Sequence, residues 1–157
     1  MDRPQWPVEL TALRDRLAAT FEQVRFGRML GATLTGWGLG WATVTATPDG
    51  EATNLVGTVH GGVIASLADL AFEVACNSYG RLAVATGLTM HYAAAATPGE
   101  PLRAEAGELS RSRRLASYRI DVLNDRGLIA WAQAVAYRTG GWHGAEEDYP
   151  PQWRERY

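Results

Sequence analysis

Residues 59–78 read "VHGGVIASLADLAFEVACNS". Val63, Leu67, Leu70 and Val74 recur at steps of four, three and four, with Ile64, Ala71 and Ala75 on the adjoining side, so the spacing predicts an apolar helix over 60–78. The helix opens on His60-Gly61-Gly62 and carries Asp69 and Glu73 in its interior. At 3.6 residues per turn, Gly62, Ser66, Asp69, Glu73 and Cys76 share one side, apart from the apolar stripe. A buried helix with a polar seam is the feature the rest of the fold has to accommodate.

Upstream, "PDGEATN" (48–54) is turn chemistry. Before it, "GATLTGWGLGWATVTAT" (31–47) is rich in Thr, Trp and Val, interrupted by Gly36, Gly38 and Gly40, and suits two short strands around a turn. Residues 8–29 follow Pro7 and space Leu10, Leu13, Leu17, Phe21 and Val24 as one amphipathic helix. Downstream, 81–92, 101–111, 114–124 and 127–138 read as four strands, with turns expected at Pro98-Gly99 and at "NDRG" (124–127). The closing "GGWHGAEEDYPPQWRERY" is polar, Gly- and Pro-rich, and is expected to be an irregular tail whose Trp142, Tyr149, Trp153 and Tyr157 are able to dock on a surface. Helix, two strands, long helix and four strands predict an α+β domain, an antiparallel sheet packed round the central helix. The organisation is an N-terminal helix in 1–29, the domain proper in 30–141 and a tail in 142–157.

A chain of 157 residues fits one core. All fifteen basic residues are Arg and the net charge is −2, which argues against an electrostatic nucleic-acid binder. Cys76 is the single cysteine, so neither an internal disulfide nor a cysteine-rich zinc site can form. The start of the sequence lacks a signal pattern, and no segment reaches the roughly 18 consecutive apolar residues of a membrane helix. The expectation is a cytoplasmic protein with no membrane partner.

The helix start offers an anion site: its first N–H groups have no intrahelical acceptors, the dipole is positive there, and Gly61 and Gly62 let an oxygen come close. Such a donor stabilises the negative charge that develops on a thioester or ester carbonyl under attack. The attacking group must come from elsewhere, because eight residues of helix separate Gly61 from Asp69 by about 12 Å. If two copies lie with these helices antiparallel, Asp69 of one faces the Gly61 end of the other. His60 suits capping or orientation as well as direct chemistry. Ser66 lacks a nucleophile-elbow context, and Cys76 reads as a core residue. His60, His91 and His143 lack metal-ligand spacing.

Asn54, His60-Gly61-Gly62 and Asp69, followed by "AFEVACNS" and a strand meander, resemble the PaaI-type hotdog-fold acyl-CoA thioesterases of phenylacetate degradation, over about Leu30 to Gly141. The resemblance implies a sheet wrapped round the central helix, homodimers with one continuous sheet, pairing again as tetramers, and active sites at the subunit interface. It implies Asp69 as nucleophile or general base on water, the Gly61 amide polarising the thioester carbonyl, and Asn54 and His60 lining the site. Gly62, Ser66 and Glu73 fall on the substrate side of the seam. Arg113, in "SRSRRLASY", matches a basic position near the coenzyme A entrance, with Arg114 beside it. The family's Arg-Pro after the third strand is absent, the strand ending in "YAAAATPG". Glu73 departs from relatives with a small or hydroxyl residue there.

The expected activity is therefore hydrolysis of aromatic (phenylacetyl-type) or medium-chain acyl-CoA, with no metal or redox cofactor and coenzyme A present only as part of the substrate. Two rivals share the fold: a hotdog enoyl- or hydroxyacyl-thioester hydratase, and a non-catalytic acyl-CoA-binding protein.

Overall fold

The computed structural model describes residues 3–157. Its strands are β1 (Thr33–Gly38), β2 (Trp41–Ala46), β3 (Arg81–Tyr92), β4 (Leu102–Arg111), β5 (Leu115–Asn124) and β6 (Gly127–Trp142), and its helices are α1 (Thr11–Phe21), α2 (Arg25–Met29), α3 (Gly61–Asn77) and α4 (Pro151–Arg156). The strands form one six-stranded antiparallel sheet in the order β1-β2-β4-β5-β6-β3. α3 leaves β2 near one side of the sheet and delivers the chain to β3 at the opposite edge, so the sheet curls round the helix it brackets.

The alternation along β6 shows how close that wrapping is. Ala130, Ala132, Ala134 and Ala136 face inward and are buried, and Ala104 and Ala106 of β4 join them. Side chains of one methyl let the helix lie near the strands, and Leu67, Phe72, Ile120, Val122 and Tyr118 fill what remains. The Phe72 and Tyr118 rings meet at 5.2 Å, and the Tyr118 hydroxyl donates to Glu108 at 2.9 Å, which satisfies its polar end.

The single helix expected over 8–29 is broken. A 3-10 turn (Val8–Leu10) precedes α1, and the chain passes through an extended Val24 before α2 begins. The apolar spacing continues across the break, but packing overrides it: Phe21 turns its ring edge-on to Trp37 at 5.1 Å, and Gly27 lies against Leu70.

The tail docks through its aromatics, as its composition allowed, but it is not irregular: α4 and its aromatic residues are a built part of the core. Tyr149, Trp153 and Tyr157 are buried. Trp153 stacks on Trp6 at 4.7 Å and its indole N–H donates to the Tyr79 carbonyl at 2.9 Å. Tyr157 stacks on Tyr79 at 4.7 Å. The segments around Trp6 and Trp153 therefore meet over the C-terminal end of α3, where the Trp6 indole donates to the Ser78 carbonyl at 3.1 Å. Gly80, at φ +84°, makes the turn into β3, and a Cβ there would strike the Tyr149 ring, so both conformation and space require glycine. β6 also runs on to Trp142, past the predicted 138.

Candidate active site

His60 is the N-cap of α3, and its Nδ1 accepts from the Gly62 N–H at 2.9 Å. That fixes the role of Gly62 and leaves the neighbouring Gly61 N–H without a protein acceptor among the described residues. The Tyr92 hydroxyl donates to the Gly61 carbonyl at 2.9 Å, and a Cβ at Gly61 would lie 3.2 Å from the Tyr92 ring. The tight approach keeps position 61 bare and holds its peptide plane.

This free donor opens into a cleft of about 300 Å³ whose walls include Asn54, Thr58, Ile64, Tyr92 and the run Ala93 to Ala96. Asn54 lines the cleft, but its own groups are spent on the loop: Nδ2 donates to the Thr58 hydroxyl at 2.8 Å, and Oδ1 accepts from the N–H groups of Val56 and Thr58. It shapes the wall as an Asx turn. Ser66 is likewise committed, its hydroxyl donating to the Gly62 carbonyl at 2.8 Å.

Asp69 and Glu73 lie one turn apart on the exposed side of α3, in a second cleft of about 260 Å³ with Phe72, Cys76, Asn77, Ala83, Val84 and Ala85. Among the described residues neither carboxylate is in an ion pair. The apolar walls raise the Asp69 carboxyl above its ordinary value by desolvation. Glu73 is raised by desolvation first and by the charge of Asp69 second. Cys76 is buried and its thiol is pushed up to about 12, by burial and then by Glu73, so it is no nucleophile at neutral pH. Gly61 and Asp69 thus face different cavities within one chain.

Arg113 and Arg114 stand apart from both clefts, in a cavity of about 400 Å³ with Arg81, Arg138 and Arg154 and the single acid Glu155. Arg81 and Arg138 donate to the main-chain oxygen of Tyr157. The basin adjoins the carboxylate cleft along β3, since Ala83 of that cleft pairs with Arg138.

Two residues that the sequence reading passed over stand beside these elements. Tyr92 is one; an exposed aromatic at a strand end gave no sign that it would pack on a helix start. Thr86 is the other, the extra residue of a β-bulge between Ala85 and Gly87. Its hydroxyl donates to the Val135 carbonyl at 3.1 Å, and it was the hydroxyl in a run otherwise of Ala, Val and Gly. Among the described residues, no three His, Cys, Asp or Glu side chains group as metal ligands, and no helix is long and apolar enough to cross a membrane.

Residues 56–130 match the Thioesterase superfamily, which fits a helix-wrapping sheet with an open amide at the helix start. A protein of Archaeoglobus fulgidus is 42% identical over 113 residues, covering 71% of this chain and 70% of the relative. The acyl-coenzyme A thioesterase PaaI of Escherichia coli is 32% identical over 124 residues, covering 78% and 89%. The solved structure of E. coli PaaI, from the phenylacetic acid degradation operon, superposes with a TM-score of 0.80 over 85% of this chain and 98% of that one. A Streptococcus mutans protein solved with acetyl CoA shares the fold at a TM-score of 0.67 and 22% identity, over 71% and 90%. These matches define a thioesterase-superfamily domain. Within that class, the chain belongs to the PaaI-type hotdog-fold acyl-CoA thioesterases, which are thioester hydrolases.

Proposed function

We propose that this protein hydrolyses acyl-CoA thioesters bearing aromatic, phenylacetyl-type, or medium-chain acyl groups, at sites shared between two copies of the chain. The observation that carries this is the division of labour along α3: a free Gly61 N–H in one cleft, and an unpaired Asp69 carboxylate in another. One chain cannot bring both to a single carbonyl.

β3 supplies the means of joining them. It is a twelve-residue edge strand, rich in Ala, Val and Thr, with Val84 and Tyr92 exposed, and an edge of this kind templates pairing with another strand. Antiparallel β3–β3 pairing joins two sheets and lays the α3 helices side by side, so that Asp69 of one copy meets Gly61 of the other. Pairing of two such dimers gives the tetramer expected of the family.

In the proposed reaction the Gly61 N–H donates to the thioester carbonyl oxygen. Asp69 either removes a proton from a water that attacks the carbonyl carbon, or attacks it directly to give an anhydride that water then opens. Either way the C–S bond breaks, the CoA thiolate takes up a proton and the acid is released. The scheme needs no metal or redox cofactor. Arg113 and Arg114, with Arg81 and Arg138 behind them, meet the phosphates of coenzyme A. The 32% identity to the E. coli acyl-coenzyme A thioesterase supports this ligand class. A lone, buried, unreactive thiol suits the cytoplasm.

The test is thiol release from phenylacetyl-, hydroxyphenylacetyl-, benzoyl- and straight-chain acyl-CoAs by wild type and Asp69→Asn. The expected loss is about 10²–10⁴-fold in kcat. Equal rates for the two proteins would sink the assignment of Asp69.

A further inference from the structure

A half-open cavity lies on the far side of Glu73 from Asp69. It has a volume of about 250 Å³, with Phe21, Val24, Gly27 and Arg28 of the N-terminal segment on one side, Leu34 and Val44 of β1 and β2 on another, and Leu70 and Val74 of α3 on a third. Glu73 is the residue this chamber shares with the Asp69 cleft. Along α3 the two carboxylates are about 6 Å apart, so a chain whose carbonyl stands at Asp69 passes Glu73 before it reaches the chamber.

We propose that the chamber receives the acyl group of the thioester, and that Glu73 at its mouth restricts that group to uncharged, apolar ones. The inference rests on hydrolysis at Asp69 as proposed above and adds which acyl groups are accepted. Most of the chamber lining is aliphatic or aromatic, which suits an aryl or medium-chain acyl body, and Glu22, Arg28 and Thr33 add polar groups to the wall remote from α3. At the mouth Glu73 and Asp69 stand together with no arginine paired to either among the described residues. An acyl group ending in a carboxylate would bring a third negative charge to that point, and like charges so placed discriminate against it.

The N-terminal helices give the chamber its size. Gly27 lies in the wall, and a Cβ there would meet the Leu70 methyls at 3.6 and 3.8 Å, ordinary contact distances. A larger residue at 27 therefore grows into the chamber, while Leu34→Ala enlarges it from the sheet side.

The experiment measures kcat/KM for acetyl-, hexanoyl-, phenylacetyl- and succinyl-CoA, together with binding of the non-hydrolysable thioether S-hexyl-CoA by calorimetry. Gly27→Leu is expected to lower the hexanoyl-to-acetyl ratio about tenfold or more, the scale on which apolar pockets discriminate. It is also expected to weaken S-hexyl-CoA relative to S-methyl-CoA. Glu73→Gln is expected to raise the succinyl-to-hexanoyl ratio about tenfold or more. If Gly27→Leu does not fold, Leu34→Ala should shift the preference toward longer chains. Unchanged ratios in the folded variants, with wild-type hydrolysis intact, overturn the chamber and leave the catalytic reading standing. If wild type hydrolyses nothing, the catalytic reading fails, and the S-hexyl to S-methyl binding ratio alone decides the chamber: a fall in Gly27→Leu upholds it and no change overturns it.

Discussion

The two ends of α3 are treated in opposite ways. At its start the backbone is left open: the Gly61 N–H has no acceptor among the described residues, and the wall opposite is a run of exposed alanines from Ala93 to Ala95. At its finish almost nothing is left open. Buried Asn77 donates to the carbonyls of Glu73 and Ala83, and accepts from the Ala83 N–H at 2.9 Å and from His143 Nε2 at 2.8 Å. Trp6, Tyr149, Trp153 and Tyr157 then cover it. A helix whose start must present an unsatisfied donor to a substrate cannot draw rigidity from that start. The sealed end supplies it, and the aromatic cover from the segments around Trp6 and Trp153 is what seals it.

If the open end and the seam beside it hold the chemistry, the largest effect comes from Asp69→Asn, with the 10²–10⁴-fold loss given above. Gly61→Ala should follow at about 10²-fold in kcat, because the new methyl meets the Tyr92 ring and displaces the donor. Mixing the two impaired variants and allowing subunits to exchange should restore activity to about a quarter of wild type, since half the dimers are mixed and each carries one intact site. A mixture no more active than its components would place the site within a single chain.

At the sealed end the expected loss is stability. Asn77→Leu removes the partner of the Ala83 backbone and of His143, and should cost about 2–3 kcal/mol in denaturant unfolding, with far less effect on kcat in the protein that remains folded. A kcat loss as large as that of Gly61→Ala would erase the contrast between the ends.

The smallest effect is a pH dependence. Asp69 and Glu73 are raised in the folded chain, so the folded state binds their protons more readily than the unfolded state does. Their charges oppose folding fully above the folded values, and not at all below the ordinary carboxylate range of about 4. Asp69→Asn and Glu73→Gln should each raise Tm slightly near pH 7 to 8, and the gain should vanish as pH falls toward 4. A gain that persists in acid would assign it to packing instead of charge.

Most of this architecture was legible before the coordinates. The period of Val63, Leu67, Leu70 and Val74 gave α3 to within a residue, and turn chemistry at Pro98-Gly99 and Asn124–Gly127 bounded β3 to β6 closely. The break after Phe21 was not legible, because Leu13, Leu17, Phe21 and Val24 keep one helical spacing across it. What breaks the helix is where Phe21 and Gly27 find partners, and those lie on β1 and α3. The tail misled through its composition, in which Gly, Pro and acids outnumber the few aromatics that bury it. At the site, the seam of Gly61, Asp69 and Glu73 could be read from helical angles, and so could the separation of Gly61 from Asp69. The spending of the Asn54 amide on its own loop could not, nor could the chamber behind Glu73, whose walls come from three distant parts of the chain.

The alanines that line the inner face of β6 and β4 set how this core can change by mutation. A methyl group leaves almost nothing to remove, so at these alanines the damaging substitutions are those that add volume; Ala132→Leu or Ala134→Leu would force α3 away from the strands. On the helix side the damaging ones subtract, as in Leu67→Ala or Phe72→Ala. A deep mutational scan should therefore return two opposite signatures from facing positions of one interface, intolerance of growth at the alanines of β4 and β6 and intolerance of shrinkage at Leu67 and Phe72. Variation that survives selection is left to the cavity-facing positions of the N-terminal segment, such as Val24, where a change of side chain reshapes a cavity without moving the frame.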